Sequence, residues 1–128
     1  MSTAPKPHWK ELPEDHDYPA AESYLSLVLV PAAAKRAVKR LRRGAIQHFK
    51  AKDLLRASEL PLLPPDNVHV EKDLAKVRRG EQLSPVLLVR GKRNQGIALT
   101  VADGYHRICA SHHLDEDSDI PCRLIDLT

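Results

Sequence analysis

The sequence predicts an α+β fold, with a small mixed sheet packed against helices and preceded by a helical extension. Residues 20–43 contain two stretches of helical composition and spacing. From residue 45 onward, short apolar runs and helical segments follow in the order β, short α, α, β, β, α, β. We therefore divide the chain into an arm (1–19), a helical extension (20–44) and a mixed domain (45–128).

Length and composition are those of one ordinary domain with an aliphatic core. The 128 residues are 42% hydrophobic but only 4% aromatic, so Leu, Val, Ile and Ala must fill that core. The net charge of +3 is mildly basic and by itself weak evidence for a nucleic-acid partner. No signal peptide is recognisable, and the longest apolar run, 25–34, is too short to span a bilayer. Two cysteines are too few for a disulfide framework, so we expect a cytoplasmic protein. Because no apolar run is long enough, we expect no membrane partner.

The first third of the chain is expected to hold an arm and two helices. Residues 1–19 are rich in proline, lysine and acidic residues, which indicates an extended or partly disordered arm held by Trp9. Residues 20–30 favour a helix, and Pro31 either ends it or opens the next one. The second helix covers 32–43. Its apolar stripe consists of Ala34, Val38, Leu41 and Ala45.

The second helix is strongly basic on its other faces. Six cations fall within nine residues without an acid among them: Lys35, Arg36, Lys39, Arg40, Arg42 and Arg43. One interpretation is contact with nucleic-acid phosphates or an acidic partner. The other is a solvated face whose last-turn cations also favour the helix dipole. No aromatic or Asn/Gln residue that reads bases accompanies the cations, and both interpretations stay open.

The mixed domain alternates short strands and helices between clear turn signals. Its helix 68–79 is capped by Asp66 or Asn67 and has an apolar stripe. The continuous apolar run 86–89 predicts a strand buried on both faces. Pro121 places its strand at an edge or near a strand start. The other predicted elements are a strand at 46–49, helical turns at 52–59, loops at 61–65, 91–96 and 115–119, a strand at 97–101, a helix at 105–114 and a strand at 120–125.

Residues 97–114 contain the pattern with the clearest chemical meaning. An apolar strand turns at Asp103 and Gly104 and then enters a helix. The first N–H groups of a helix lack intrahelical partners and the dipole is positive there, so this turn suits an anion. His106 and Arg107 add donors to the first helical turn. Asp103 suits a metal ion, a helix cap or a proton acceptor.

Residues 54–126 resemble the ParB/sulfiredoxin superfamily. The resemblance lies in the helix ending near Gly80, the strand 84–89, the segment 101–107 with its helix, and the closing strand 120–124. That family binds nucleoside phosphates with a Gly-x-His/Arg-Arg turn at this helix. By position, the resemblance implies a phosphate-binding turn formed by Gly104, Tyr105, His106 and Arg107.

Departures from the family pattern narrow what the resemblance implies. Sulfiredoxins carry a reactive cysteine where this chain has Tyr105, so reduction of sulfinic acids is not expected. ParB-type partition proteins carry Glu-Arg-Arg in the turn and a helix-turn-helix domain beyond it, which we do not expect here. The Asp-Gly-x-His-Arg form most resembles the free serine kinases of the superfamily. That branch implies a catalytic or metal-proximal Asp103 and, by a looser match, Glu71 as base.

Two functions of different classes follow, and the sequence leaves open whether there is any catalysis. The first is a protein that binds a nucleoside phosphate, with or without Mg²⁺ near Asp103, and acts as a phosphotransferase or nucleotide hydrolase. The second is a non-catalytic nucleic-acid module that uses the basic helix 35–43. We assign no metal site to His106, Cys109 and His113, which share a helix face but lack further ligands. The oligomeric state stays open.

Overall fold

Residues 5–127 are described by the computed structural model of this chain, and they confirm the α+β class. The helices are α1 (Asp17–Val28), α2 (Pro31–Arg43), α3 (Ala51–Ser58), α4 (Val68–Arg78) and α5 (Tyr105–Leu114). The strands are β1 (His8–Trp9), β2 (Ile46–Lys50), β3 (Gln82–Leu83), β4 (Val86–Val89), β5 (Thr100–Asp103) and β6 (Asp119–Ile125). The predicted order of elements after residue 45 is confirmed, with β3 and a 3₁₀ turn at Arg93–Gln95 in addition.

The main sheet has four strands in the order β2-β6-β4-β5. β4 runs parallel to β6 and antiparallel to β5, while β2 and β6 are antiparallel. All four residues of β4 are buried, as the continuous apolar run predicted. β6 is an interior strand, so the edge alternative for Pro121 is wrong; Pro121 is near the strand start, as its third residue, and lies opposite His48 of β2. Pairing with β4 begins one residue after Pro121, at Cys122, so its missing N–H does not interrupt that ladder.

Helices cover both faces of this sheet, because alternate residues of a strand point to opposite faces. Val86 and Leu88 face α3, α4 and α5, while Leu87 and Val89 face α1 and α2. The helical extension is therefore one complete layer of the fold. Arg123 of the last strand connects β6 to the end of α2, because its buried guanidinium donates to the carbonyls of Leu41 and Arg42.

The extension differs from its prediction mainly at its boundaries. α1 begins at Asp17, so the last three residues assigned to the arm belong to a helix. Pro31 opens α2 at its first position, where a missing N–H costs nothing. Ala34, Val38 and Leu41 are buried as predicted, together with Ala37. Ala45 is exposed because α2 ends at Arg43.

The described part of the arm is ordered against the domain. β1 pairs in parallel with β3, and the Lys10 N–H donates to the Leu83 carbonyl at 2.8 Å. Trp9 packs against the core cluster beneath α3, α4 and α5, which confirms that it holds the arm. Residues 1–4 of the predicted arm and residue 128 lie outside the described residues.

The predicted strand at 97–101 is wrong in its first half. β5 spans Thr100–Asp103, and Ile97 is 49% exposed. Gly96 has a left-handed φ of +72°, and Ile97 then makes only an isolated bridge to Lys92. The three apolar residues before Thr100 therefore close a loop instead of extending the sheet. Within residues 5–127, no helix combines the length and apolarity needed to cross a bilayer.

Candidate functional site at the start of helix α5

Gly104 sets the geometry of the turn that leads from β5 into α5. Its φ is +110°, a conformation that L side chains rarely adopt. A Cβ at this position would lie 2.3 Å from Cγ1 of Val86, so the turn also needs the missing side chain to approach β4. Gly104 is the N-cap residue, and no side chain caps the helix. The first N–H groups of α5 are therefore left without side-chain acceptors, as an anion site requires.

Arg107 points from the first turn of α5 into the protein. Its Nη2 lies 2.9 Å from Oδ2 of Asp103, and its Nη1 lies 3.7 Å from Oδ1 of Asp17. Nη2 also donates a long bond of 3.5 Å to the carbonyl of Pro85. The side chain is only 16% exposed. Arg107 therefore offsets the negative charge of two carboxylates beneath the turn, and its side chain does not reach out from the turn.

Asp17 is a functional-site residue that sequence reasoning missed. It is 3% exposed, and its Oδ2 accepts from the Ser84 hydroxyl and from the N–H of Glu14. The sequence holds one local signal for it, an acid in the first turn of a helix. Nothing in that signal indicates Arg107, which is 90 residues away along the chain.

Two carboxyl groups at the site have a pKa above the usual range. Burial raises the pKa of Asp103, with a further rise from the neighbouring Asp17 and an opposing effect from Arg107. Burial also raises the pKa of Asp73 on α4, where the charges of Arg107, Lys76 and His106 act in the opposite direction. Asp73 is thus the half-buried acid of α4 whose pKa is affected by the charges of the predicted turn.

A histidine pair lies at the mouth of the site. The rings of His69 in the first turn of α4 and His106 in the first turn of α5 have centroids 4.7 Å apart. Burial lowers the pKa of His106, and His69 and Arg107 lower it further, while Asp73 opposes them. The Tyr105 ring lies 5.6 Å from the His106 ring, and its hydroxyl donates to the Pro61 carbonyl. His69 is exposed and His106 is partly exposed, so a ligand can reach both rings.

The residues predicted for the site fall into three places. Gly104, Tyr105, His106 and Arg107 form one turn with Asp103 beside it. Glu71 is exposed on α4, and Asp73 is the acid of that helix whose charge acts on His106. The six cations of α2 lie on the layer that covers the opposite face of the sheet.

The helix face of α5 that carries Cys109 and His113 is occupied by structural contacts. Cys109 is a buried free thiol. Nε2 of His113 lies 2.7 Å from the Leu63 carbonyl, in the loop before α4. Both side chains therefore secure the packing of α5, and neither is free to join His106 around a metal ion.

Among the described residues, one group has ligand atoms close enough for a metal ion. Nε2 of His16 lies 3.0 Å from Oε2 of Glu14 and 3.5 Å from Oδ1 of Asp17. Lys10 and Arg107 already stand beside the two carboxylates as cations. This charge balance, and the hydrogen bonds on Asp17, account for the group without a metal.

Comparison of the chain with protein-family models, with curated proteins and with solved structures found no match.

Proposed function

We propose that this protein binds a nucleoside phosphate at the N-terminal end of α5. The observation that carries the proposal is the uncapped first turn of α5 with the His69 and His106 rings 4.7 Å apart at its mouth. Free N–H groups, the helix dipole and two imidazoles together offer donors to one phosphate group. The resemblance to the ParB/sulfiredoxin superfamily supports the nucleoside part of the ligand.

Arg107 offsets the negative charge of two carboxylates below the turn. Its guanidinium lies between Asp103 and Asp17, where it holds the turn in place and makes the potential of the two carboxylates less negative. The direct phosphate ligands in this proposal are therefore the backbone N–H groups of the 104–107 turn and the two imidazoles. A bound phosphate favours protonated histidine, which opposes the lowered pKa of His106.

Mg²⁺ does not fit as an ion held by Asp103 in this arrangement. Oδ2 of Asp103 is bonded to Arg107, and a second cation at the same carboxylate would be repelled by the guanidinium. In this proposal Mg²⁺ accompanies the nucleotide as its counterion. A nucleoside phosphate as ligand and two free thiols also agree with a cytoplasmic protein.

Phosphoryl transfer or hydrolysis is the reaction class that such a site favours. The acid suited to orient a nucleophile is Asp73, because it is half-buried and its charge acts on His106, whereas Glu71 is exposed. The raised pKa of Asp73 favours proton acceptance near neutral pH more than an exposed carboxylate does. The residues that hold the phosphate and the acid that takes the proton thus come from α5 and α4.

A thermal-shift panel of nucleoside mono-, di- and triphosphates, with and without Mg²⁺, tests the binding proposal. A nucleotide at one hundred times its Kd stabilises the folded state by about 2.7 kcal/mol, a clear rise in Tm. His69→Asn with His106→Asn should abolish that rise. His112→Asn, at the other end of α5, is the matched control and should keep it.

Two results would overturn the proposal. One is the absence of a shift with every nucleotide. The other is an equal shift in the wild type and in the protein carrying both His69→Asn and His106→Asn. Release of inorganic phosphate measures turnover separately, and Asp73→Asn should lower it while Glu71→Gln leaves it unchanged.

A further inference from the structure

α2 presents a continuous basic face that is separate from the α5 site. Its six cations are all exposed, and in the part of the chain that the structure describes none of them lies within 4.0 Å of a carboxylate oxygen. The cations cover an arc of about 160° at 100° per residue and a length of about 12 Å between Lys35 and Arg43. The buried residues Ala34, Ala37, Val38 and Leu41 occupy the opposite arc.

The contacts of the fold involve few of these cations. Two of the last carbonyls of α2 have other donors, because the buried Arg123 donates to Leu41 and Arg42 and the Gly44 N–H donates to Leu41. Among the six, in the described chain, Arg42 is the one with a packing contact on an aromatic ring, its guanidinium 4.2 Å from the centroid of the Tyr18 ring. The other five make like-charge pairs at i,i+4 spacing, which destabilise a helix.

Charge is segregated along the whole chain. Residues 23–49 contain six Lys and Arg residues, all on α2, and no acid. The full chain has 20 basic and 17 acidic residues, so fourteen basic and seventeen acidic residues remain outside this stretch. The modest net charge of +3 therefore combines a strongly positive helix face with a slight excess of acid elsewhere.

We propose that the basic face of α2 binds the phosphate backbone of a double-stranded nucleic acid without reading its sequence. The face carries no large apolar side chain, so it offers nothing to a protein interface core or to the interior of a bilayer. It carries no aromatic or amide side chain, so neither single-strand stacking nor base-edge readout is available. A row of exposed cations without carboxylate partners along one helix matches the regularly spaced phosphates of a duplex.

This inference is independent of the nucleotide site. α2 and the start of α5 lie in the helix layers on opposite faces of the sheet. A duplex on α2 therefore leaves the 104–107 turn accessible, and failure of one proposal does not affect the other.

Fluorescence anisotropy with a 30-base-pair DNA duplex tests the inference on the full chain. Five phosphate contacts give a slope of log K against log salt of about −4.5, with a Kd of about 10⁻⁵ M. Changing the five cations without a packing contact to Gln should weaken binding at least tenfold and bring the slope towards zero. These five are Lys35, Arg36, Lys39, Arg40 and Arg43.

A matched control removes the same number and kinds of charge elsewhere. Five exposed cations outside α2 make no ion pair in the described chain and comprise the same two Lys and three Arg. They are Lys6, Arg56, Lys72, Arg78 and Arg93. Their change to Gln should leave the Kd for the duplex within about threefold of the wild-type value. This margin allows for the weaker long-range attraction between DNA and a protein with fewer positive charges. Arg→Lys changes at positions 36, 40 and 43 keep the charge and should also keep binding.

An RNA duplex, the comparison of the two variants and lipid vesicles supply the further tests. An RNA duplex of the same length that binds equally supports backbone contact, and one that binds more weakly identifies DNA as the ligand. Equal loss of binding in the α2 variant and the matched control would overturn the proposal, since net charge would then be the cause. So would no duplex binding at 50 mM salt, or binding only to vesicles of anionic lipid, which the exposed Leu27 and Val30 beside α2 would contact. Far-UV circular dichroism and Tm verify that every variant is folded.

Discussion

Oδ1 of Asp17 lies 3.7 Å from Nη1 of Arg107, and this contact joins the helix layers on the two faces of the sheet. Asp17 begins α1 and is 3% exposed, whereas Arg107 lies in the first turn of α5. Asp103, at the end of β5, holds the same guanidinium from the other side at 2.9 Å. One cation thus compensates two buried carboxylates, and the loss of that cation should cost more than the loss of an ordinary ion pair.

Arg107→Leu should destabilise the protein by about 3–5 kcal/mol at pH 7, because it leaves Asp17 and Asp103 buried together without a cation. The guanidinium now opposes the rise in the pKa of Asp103, so its removal should raise that pKa further. A carboxyl group with a raised pKa in the folded state contributes stability at low pH that is lost as pH rises through that pKa. The deficit of Arg107→Leu should therefore shrink between pH 7 and pH 5, as measured by urea unfolding.

Arg90→Leu is the control for that prediction. Arg90 pairs with Asp126 at 2.7 Å, but both side chains are more than half exposed. An exposed pair contributes about 0–1 kcal/mol, so this change should be nearly neutral at both pH values. Equal losses in the two variants would contradict a special role for Arg107.

Gly104→Ala should destabilise the protein by about 2–4 kcal/mol, since it combines a left-handed φ with steric overlap. The added Cβ would lie 2.3 Å from Val86, and 2.9 Å from Nη2 of Arg107. Gly80→Ala is the matched control, because Gly80 has a φ of +75° but open space around it. That change should cost only about 1–2 kcal/mol. Thermal unfolding of both variants gives the comparison, and equal losses would show that the approach to Val86 carries no cost.

The fold was predictable from the sequence where local signals are strong. The run 86–89 is apolar at every position, which predicts a strand buried on both faces. The pattern of α2 predicts a helix with its apolar side buried and its basic side exposed. The structure confirms both predictions. The run from Ile97 looked equally strand-like, yet β5 starts only at Thr100. Sheet pairing requires a partner strand at the right register, and that information does not lie in the run itself.

The candidate site was likewise predictable only where its residues are contiguous in sequence. The 104–107 turn follows from a strand, a glycine and a helix that are contiguous in sequence. Asp17 and His69 contact Arg107 and His106 from other elements, through tertiary packing that no local pattern encodes, and the charge of Asp73 on α4 also acts on the turn. Asp103 is the local partner of Arg107, four residues before it, whereas the contact with Asp17 spans 90 residues and has no sequence signal.

Trp9 should report the docking of the arm, since it is the only tryptophan and packs against the core beneath α3, α4 and α5. Its emission should shift to longer wavelength on unfolding, at the same urea concentration as the change in circular dichroism. Trp9→Ala should cost about 3 kcal/mol, the low end for a large core side chain, because Trp9 is only partly buried. Trp9→Phe should recover most of that loss. An emission change well before the loss of helix would mean that the arm detaches independently.

Both thiols should be unreactive in the folded protein. Burial raises the pKa of Cys122 to about 12, so almost none of it is thiolate at pH 8, and burial also raises the pKa of Cys109. A disulfide reagent such as Ellman's should therefore modify neither thiol in buffer and both in guanidinium chloride. Cys109→Ala leaves a single thiol on β6, and its rate of modification at several denaturant concentrations should follow global unfolding, because β6 is an interior strand. Rapid modification of either thiol without denaturant would contradict the packing described for α5 and β6.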